Sequence, residues 1–137
     1  LLADCLNNQA LLLQGRGQPD SAMALLEESE GICRELGYRK GLADSLNNQG
    51  LVLQARGDPE GAMALFKEAE QAYREMGMPG GLATTLAHQA AILAQKGQCD
   101  EALLLAKEAE QLVTKHGLAA LARRLQPILD SVHAGVH

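Results

Sequence analysis

The sequence has no tryptophan, one phenylalanine and two tyrosines, so aromatics make up 2% of its 137 residues. A surface that stacks nucleic-acid bases on rings has little to be built from. Excess positive charge is missing too: 12 Lys and Arg stand against 17 Asp and Glu, a net charge of −5. That balance argues against a footprint on a phosphate backbone, which needs clustered cations, so no nucleic-acid partner is expected. Apolar residues reach 47%, yet they come in short periodic pieces. None approaches the run of about twenty that a membrane-spanning helix requires, and no membrane partner is expected. No basic stretch leads into an apolar one at the start, so no secretory signal is read there. The cysteines Cys5, Cys33 and Cys99 are odd in number and fit no metal-ligand spacing. We read them as reduced thiols of a cytoplasmic chain. The chain opens Leu-Leu in the middle of an apolar pattern, which we read as a piece cut from a longer protein.

What the sequence does have is repetition. LADCLNNQALLLQGRGQPDSAMALLEESE from Leu2 aligns with LADSLNNQGLVLQARGDPEGAMALFKEAE from Leu42 and LATTLAHQAAILAQKGQCDEALLLAKEAE from Leu82. The period is 40 without a gap; the first two units share 23 of 40 positions and the second and third share 14. Each unit carries two helical patterns around a turn. In the second, Leu42, Ala43, Leu46, Gly50 and Leu53 recur at three- and four-residue steps, one helix face. Gly57 then stops the helix in a conformation that costs glycine least, Asp58 stands where an N-cap belongs, and Pro59 takes the first helical position. Ala62, Leu65, Phe66, Ala69 and Tyr73 line the next helix, which ends at Gly77 before Pro79 and two glycines. The spacing predicts helix pairs over 2–15 and 19–36, 42–56 and 59–76, and 82–96 and 100–116. A last segment from Leu118 to about Val132 should cover the third pair, with Arg123 and Arg124 turned to water and Pro127 kinking or ending its regular part. No single pair can bury its apolar face alone, so the pairs should stack into an all-α solenoid. We divide it into units at 2–41, 42–81 and 82–117 within residues 1–117, and a capping helix with tail at 118–137.

The pattern resembles the tetratricopeptide repeat over residues 2–117. The family's small residue late in the first helix falls at Ala10, Gly50 and Ala90, with a large one three later at Leu13, Leu53 and Leu93. Its turn glycine is Gly17, Gly57 and Gly97, and the second-helix positions are Ala22, Ala62, Ala102; Leu26, Phe66, Ala106; and Ser29, Ala69, Ala109. The resemblance implies a right-handed solenoid that serves as a protein–protein interaction scaffold. In its long period and its Leu-Asn-Asn runs at 6–8 and 46–48, the chain is similar to the kinesin light chain branch and its bacterial relatives. One departure is Gln9, Gln49 and Gln89 just before the small residue, where the family usually has Leu. A buried amide needs a partner: each Gln either tips toward a backbone carbonyl or the helix boundary, or joins a polar ladder that sets the stacking register.

By resemblance, the concave wall is lined by first helices. Its groove positions here are Asp4, Asn7, Asn8, Leu11 and Gln14; Asp44, Asn47, Asn48, Leu51 and Gln54; and Thr84, Ala87, His88, Ala91 and Gln95. Asp4–Asn8 and Asp44–Asn48 each share a helix face. A side-chain amide both donates and accepts, so it can hold the backbone of an extended peptide without choosing its side chains. In related repeats the corresponding Asn does this, which points to Asn8 and Asn48; the opposing view is that a recently duplicated Asn pair is merely solvated. Family members that clamp carboxylate tails use Lys and Arg at these places, which here hold Asp4, Asn8, Asp44, Asn48, Thr84 and His88. Two aspartates favour a neutral or basic peptide instead. The Glu runs of the second helices, Glu27-Glu28-Ser29-Glu30, Lys67-Glu68 and Lys107-Glu108, read as a solvated face.

Catalytic chemistry is hard to find. His88, His116, His133 and His137 form no HExxH pattern, and there is no CxxC, so no metal is expected. His133 and His137 are spaced i, i+4 at a terminus that should fray. Gly15-Arg16-Gly17 is a helix stop with no GK[ST] after it, and Cys99 reads as an ordinary thiol in a turn. We expect no enzyme and no cofactor, but a scaffold for a peptide partner. Two rivals remain: self-association as a homodimer through an N-terminal end face bearing Leu1, Leu2 and Leu6, or a passive spacer or regulatory region beside an effector domain.

Overall fold

The computed structural model describes residues 2–134, and these form seven α-helices with no strand. They are α1 (Leu2–Gly15), α2 (Pro19–Leu36), α3 (Arg39–Ala55), α4 (Pro59–Met76), α5 (Pro79–Gln95), α6 (Cys99–Lys115) and α7 (Ala119–Ala134). The chain divides into two compact units, with the division after Ala72, inside α4. Leu1 and His137 lie outside the described residues.

Local chemistry explains the helix ends. After each of the first six helices stands a glycine with positive φ, from Gly17 at 76° to Gly117 at 63°, and among the described residues no other residue type takes positive φ. At Gly17 the closure is complete: its N–H bonds the Gln14 carbonyl at 3.0 Å, and the Gln18 N–H reaches back to Leu13 at 2.9 Å. That pair of hydrogen bonds satisfies the last carbonyls and needs a left-handed residue at Gly17. The N-cap read at Asp58 is present, with Oδ1 accepting the Gly61 N–H at 3.0 Å.

Two expectations are corrected. Helices α3 and α5 start at Arg39 and Pro79, three residues before the expected 42 and 82. Residues 39–41 and 79–81 lack an apolar rhythm and are rich in glycine, so propensity alone favours a loop. Packing overrides it: Leu42 and Leu82 N–H groups bond the Tyr38 and Met78 carbonyls at 3.1 Å, while Gly41 and Gly81 lie where a Cβ would meet the rings of Tyr38 and Tyr73. Pro79 therefore begins a helix rather than following the end of one. The second correction is that α7 does not end at Pro127 but continues through it. Leu125, Leu129 and Val132 are buried on either side of it. Pro127 itself is exposed, so water can serve the carbonyl that its missing N–H leaves free. Arg123 and Arg124 are exposed, as expected.

In the first unit, α1, α2 and α3 enclose a core of Ala10, Ala22, Leu26 and Val52, with Leu13, Met23 and Leu25 packed on it. Buried hydroxyls link the helices: Ser29 Oγ donates to the Ala3 carbonyl at 3.3 Å and Ser45 Oγ to the Leu26 carbonyl at 2.7 Å. Leu6 is buried in this unit, so of the three leucines assigned to an end face, only Leu2 is both described and exposed. In the second unit α7 packs on α5 and α6, and His133 Nε2 lies 2.9 Å from Glu110 Oε1. None of the described helices is long and apolar enough to cross a membrane.

Candidate functional site

The candidate site in the first unit is the surface that α1 shares with α3. These helices touch directly. Asn7 Nδ2 donates to the Gly41 carbonyl at 3.4 Å, and the Tyr38 hydroxyl lies 3.2 Å from both carboxylate oxygens of Asp4. Burial, and then the Asp4 carboxylate, push the Tyr38 hydroxyl pKa above its ordinary value. Lys40 Nζ donates to Asp44 Oδ2 at 2.8 Å, and that bond raises the Lys40 pKa. Asp44 is thus charge-compensated from its own helix. The acidic character read from Asp4 and Asp44 is offset on this surface by Lys40.

The repeated Asn-Asn pairs part ways. Asn7 and Asn47 are buried, 4% and 7% exposed, and the Oδ1 atom of each has no hydrogen-bond partner. Asn48 is nearly as buried, whereas Asn8 is exposed. Leu11 is exposed; Gln14, Leu51 and Gln54 are half-buried. Gln49 is buried and takes no backbone carbonyl: Nε2 donates to Glu30 Oε1 on α2 at 2.9 Å and to Ser45 Oγ at 3.3 Å. Gln89 is buried as well, but Gln9 is exposed.

In the second unit the matching residues of α5 differ. Thr84 Oγ1 donates to the Gly80 carbonyl at 2.9 Å, one turn back on its own helix. Ala87 is fully buried and presents no surface, Ala91 is half-buried and Gln95 is exposed. His88 is half-buried, and loss of solvation pushes its pKa down to about 4, so the imidazole is neutral at neutral pH. Among the described residues, no group of three or more His, Cys, Asp or Glu side chains is placed to hold a metal ion.

Sequence reasoning missed Tyr38 and Lys40 because it placed them in a connector. The i, i+4 spacing of Lys40 and Asp44 was the available signal that a helix had already begun.

Comparison with known proteins accords with this architecture. A family model described as tetratricopeptide repeat matches residues 1–75, and the chain belongs to that family. Repeats of this kind are non-enzymatic scaffolds that mediate protein–protein interactions. No curated protein matches the sequence.

Proposed function

We propose that this tetratricopeptide repeat chain binds an extended, neutral or basic peptide segment along the α1–α3 surface, held through its backbone by asparagine side chains. The observation that carries the reading is the exposed amide of Asn8, which stands on α1 beside the direct α1–α3 contact, with a second asparagine, Asn48, one 40-residue period on. Beside Asn7, the exposed amide of Asn8 offers both a donor and an acceptor, and Asn48 stands at the same place on α3. Leu11 and Leu51, one turn further along each helix, supply apolar contact for side chains of the peptide. An aspartate at position 4 favours a basic residue nearby, while Lys40 balances Asp44.

The test is calorimetric titration with pooled neutral, basic and acidic extended peptides. Asn8→Ala with Asn48→Ala should weaken the bound pool about tenfold or more and leave the melting temperature within a few degrees. Equal affinity in the double variant, or preference for the acidic pool, would sink the proposal.

A further inference from the structure

The second unit holds a cavity of about 340 Å³ where the end of α4, the start of α5 and the end of α6 meet. Binding pockets begin at about 300 Å³. Its walls are largely apolar, formed by Tyr73, Met78, Pro79, Leu82 and Leu112. Tyr73 and Leu82 are buried, whereas Met78, Pro79 and Leu112 are half-buried and keep surface for an occupant. Two exposed polar side chains, Arg74 and His116, stand beside them. Arg74 is not a bare cation there, because Glu108 pairs with both of its terminal nitrogens, Nη1–Oε2 at 2.9 Å and Nη2–Oε1 at 3.1 Å.

We propose that this cavity receives one aromatic side chain, phenylalanine or tyrosine, of a protein partner. Repetition inside the chain points to a ring. In the first unit the Tyr38 ring, carried by the link after α2, packs over Gly41 with the Cys33 sulfur beside it. One period later the ring over the matching Gly81 comes from Tyr73, at the Cys33 position, and the link carries Met78 at the Tyr38 position. The second unit therefore brings no ring from its link, and the cavity opens beside Met78. Side-chain chemistry selects a ring over an aliphatic group. The Met78 thioether meets aromatic edges favourably, the planar Arg74 guanidinium stacks on a ring face, and Tyr73 offers a ring of its own. An aliphatic side chain fills the same walls but uses none of the three. Charge narrows the choice: Glu108 already compensates Arg74, so the cavity calls for a neutral ring and not for a carboxylate. Aromatic residues seated in well-packed pockets are frequent anchors of protein interfaces, which suits a chain whose family mediates protein–protein interactions. The site shares no residue with the α1–α3 surface.

Methyl-resolved NMR tests this with pentapeptides blocked at both ends, Gly-Ser-Xaa-Ser-Gly, in which Xaa is Phe, Tyr or Leu. Titration with the Phe or Tyr peptide should give saturable ring-current shifts at the Met78, Leu82 and Leu112 methyls. Affinity should exceed that of the Leu peptide about fivefold or more. That comparison uses the unaltered chain and needs no variant. Met78→Tyr, which copies the link of the first unit, should fill the cavity and weaken binding about tenfold or more, and Leu112→Phe should do the same from α6. Circular dichroism and melting verify the fold of each variant. Asn8→Ala with Asn48→Ala should leave the shifts unchanged, so a failure here and a failure of the α1–α3 reading show separately. Absence of saturable shifts, equal affinity for the Leu peptide, or full binding by the folded variants overturns the proposal.

Discussion

Gly50 is small because Phe66 needs the space: a Cβ there would stand 2.6 Å from the ring. The same two positions hold Ala10 with Leu26 in the first unit of the repeat and Ala90 with Ala106 in the third, so helix and partner trade volume from unit to unit. Gly50→Ala should therefore lower stability by about 1–3 kcal/mol, despite a helix-propensity gain of up to about 1 kcal/mol. Adding Phe66→Leu, which copies the Ala10–Leu26 pair, should recover most of the loss; chemical denaturation of the single and double variants checks both. His88 supplies a pH dependence. Its folded pKa, about 4, lies below the ordinary 6.5 because burial disfavours the charged ring. Its contribution is present in full above pH 6.5 and is lost as pH falls from there to about 4, to a total of about 3 kcal/mol. His88→Gln should flatten stability against pH across that window, and an unchanged profile would remove His88 as its source. Cys33 is buried, and burial pushes its thiol pKa up, so alkylation should reach it only after the exposed Cys5. The conserved-looking spacing of the small positions was readable in the sequence. The separation of Asn7 from Asn8 into a buried and an exposed amide was not, because two adjacent identical residues give no sign of which one faces the neighbouring helix.

Helix ends were more legible than helix beginnings. A glycine after an amphipathic run marks an end by itself, whereas the starts of α3 and α5 depend on Tyr38 and Tyr73 rings packing over glycines, which is tertiary information. Where a start did carry local chemistry it was read correctly, as at Asp58. Asp58→Ala should cost about 1 kcal/mol in thermal or denaturant unfolding, the usual worth of an N-cap. Pro127 invites the opposite change. It sits inside α7 between buried leucines and withholds one backbone hydrogen bond, so Pro127→Ala should stabilise the protein by about 1–3 kcal/mol, visible as a higher melting temperature. The second helices are tied by ion pairs that also repeat. Arg34 lies 3.8 Å from Glu68, and Arg74 lies 2.9 Å from Glu108, the same pair one period on. These groups are substantially exposed, so the pairs orient neighbours more than they stabilise them. The Glu-rich runs are thus not uniformly solvated: Ser29 is buried among them and Glu30 binds both Gln49 and Arg34.

For the molecule as a whole, composition and period sufficed to identify an all-helical repeat chain, because a 40-residue recurrence of two amphipathic patterns has few other physical solutions. Which surface faces a partner was less legible: the exposure of Asn8 beside the burial of its counterpart Asn48 emerges only when the helices are packed. The links after α2, α4 and α6 are built alike, with the Tyr38, Met78 and Leu118 N–H groups closing onto the carbonyls of Cys33, Tyr73 and Val113 at 2.9–3.0 Å. Forty codons encode each full period, 40 × 3 = 120 bases, a multiple of three at any starting point within it. Unequal recombination between two such stretches of the gene inserts or removes a whole unit in frame, and the junction it creates is the link already present at every other boundary. The 23 positions shared by the first two units against 14 for the second and third fit such a history. The array can then lengthen by copying DNA, with no new turn to be invented each time.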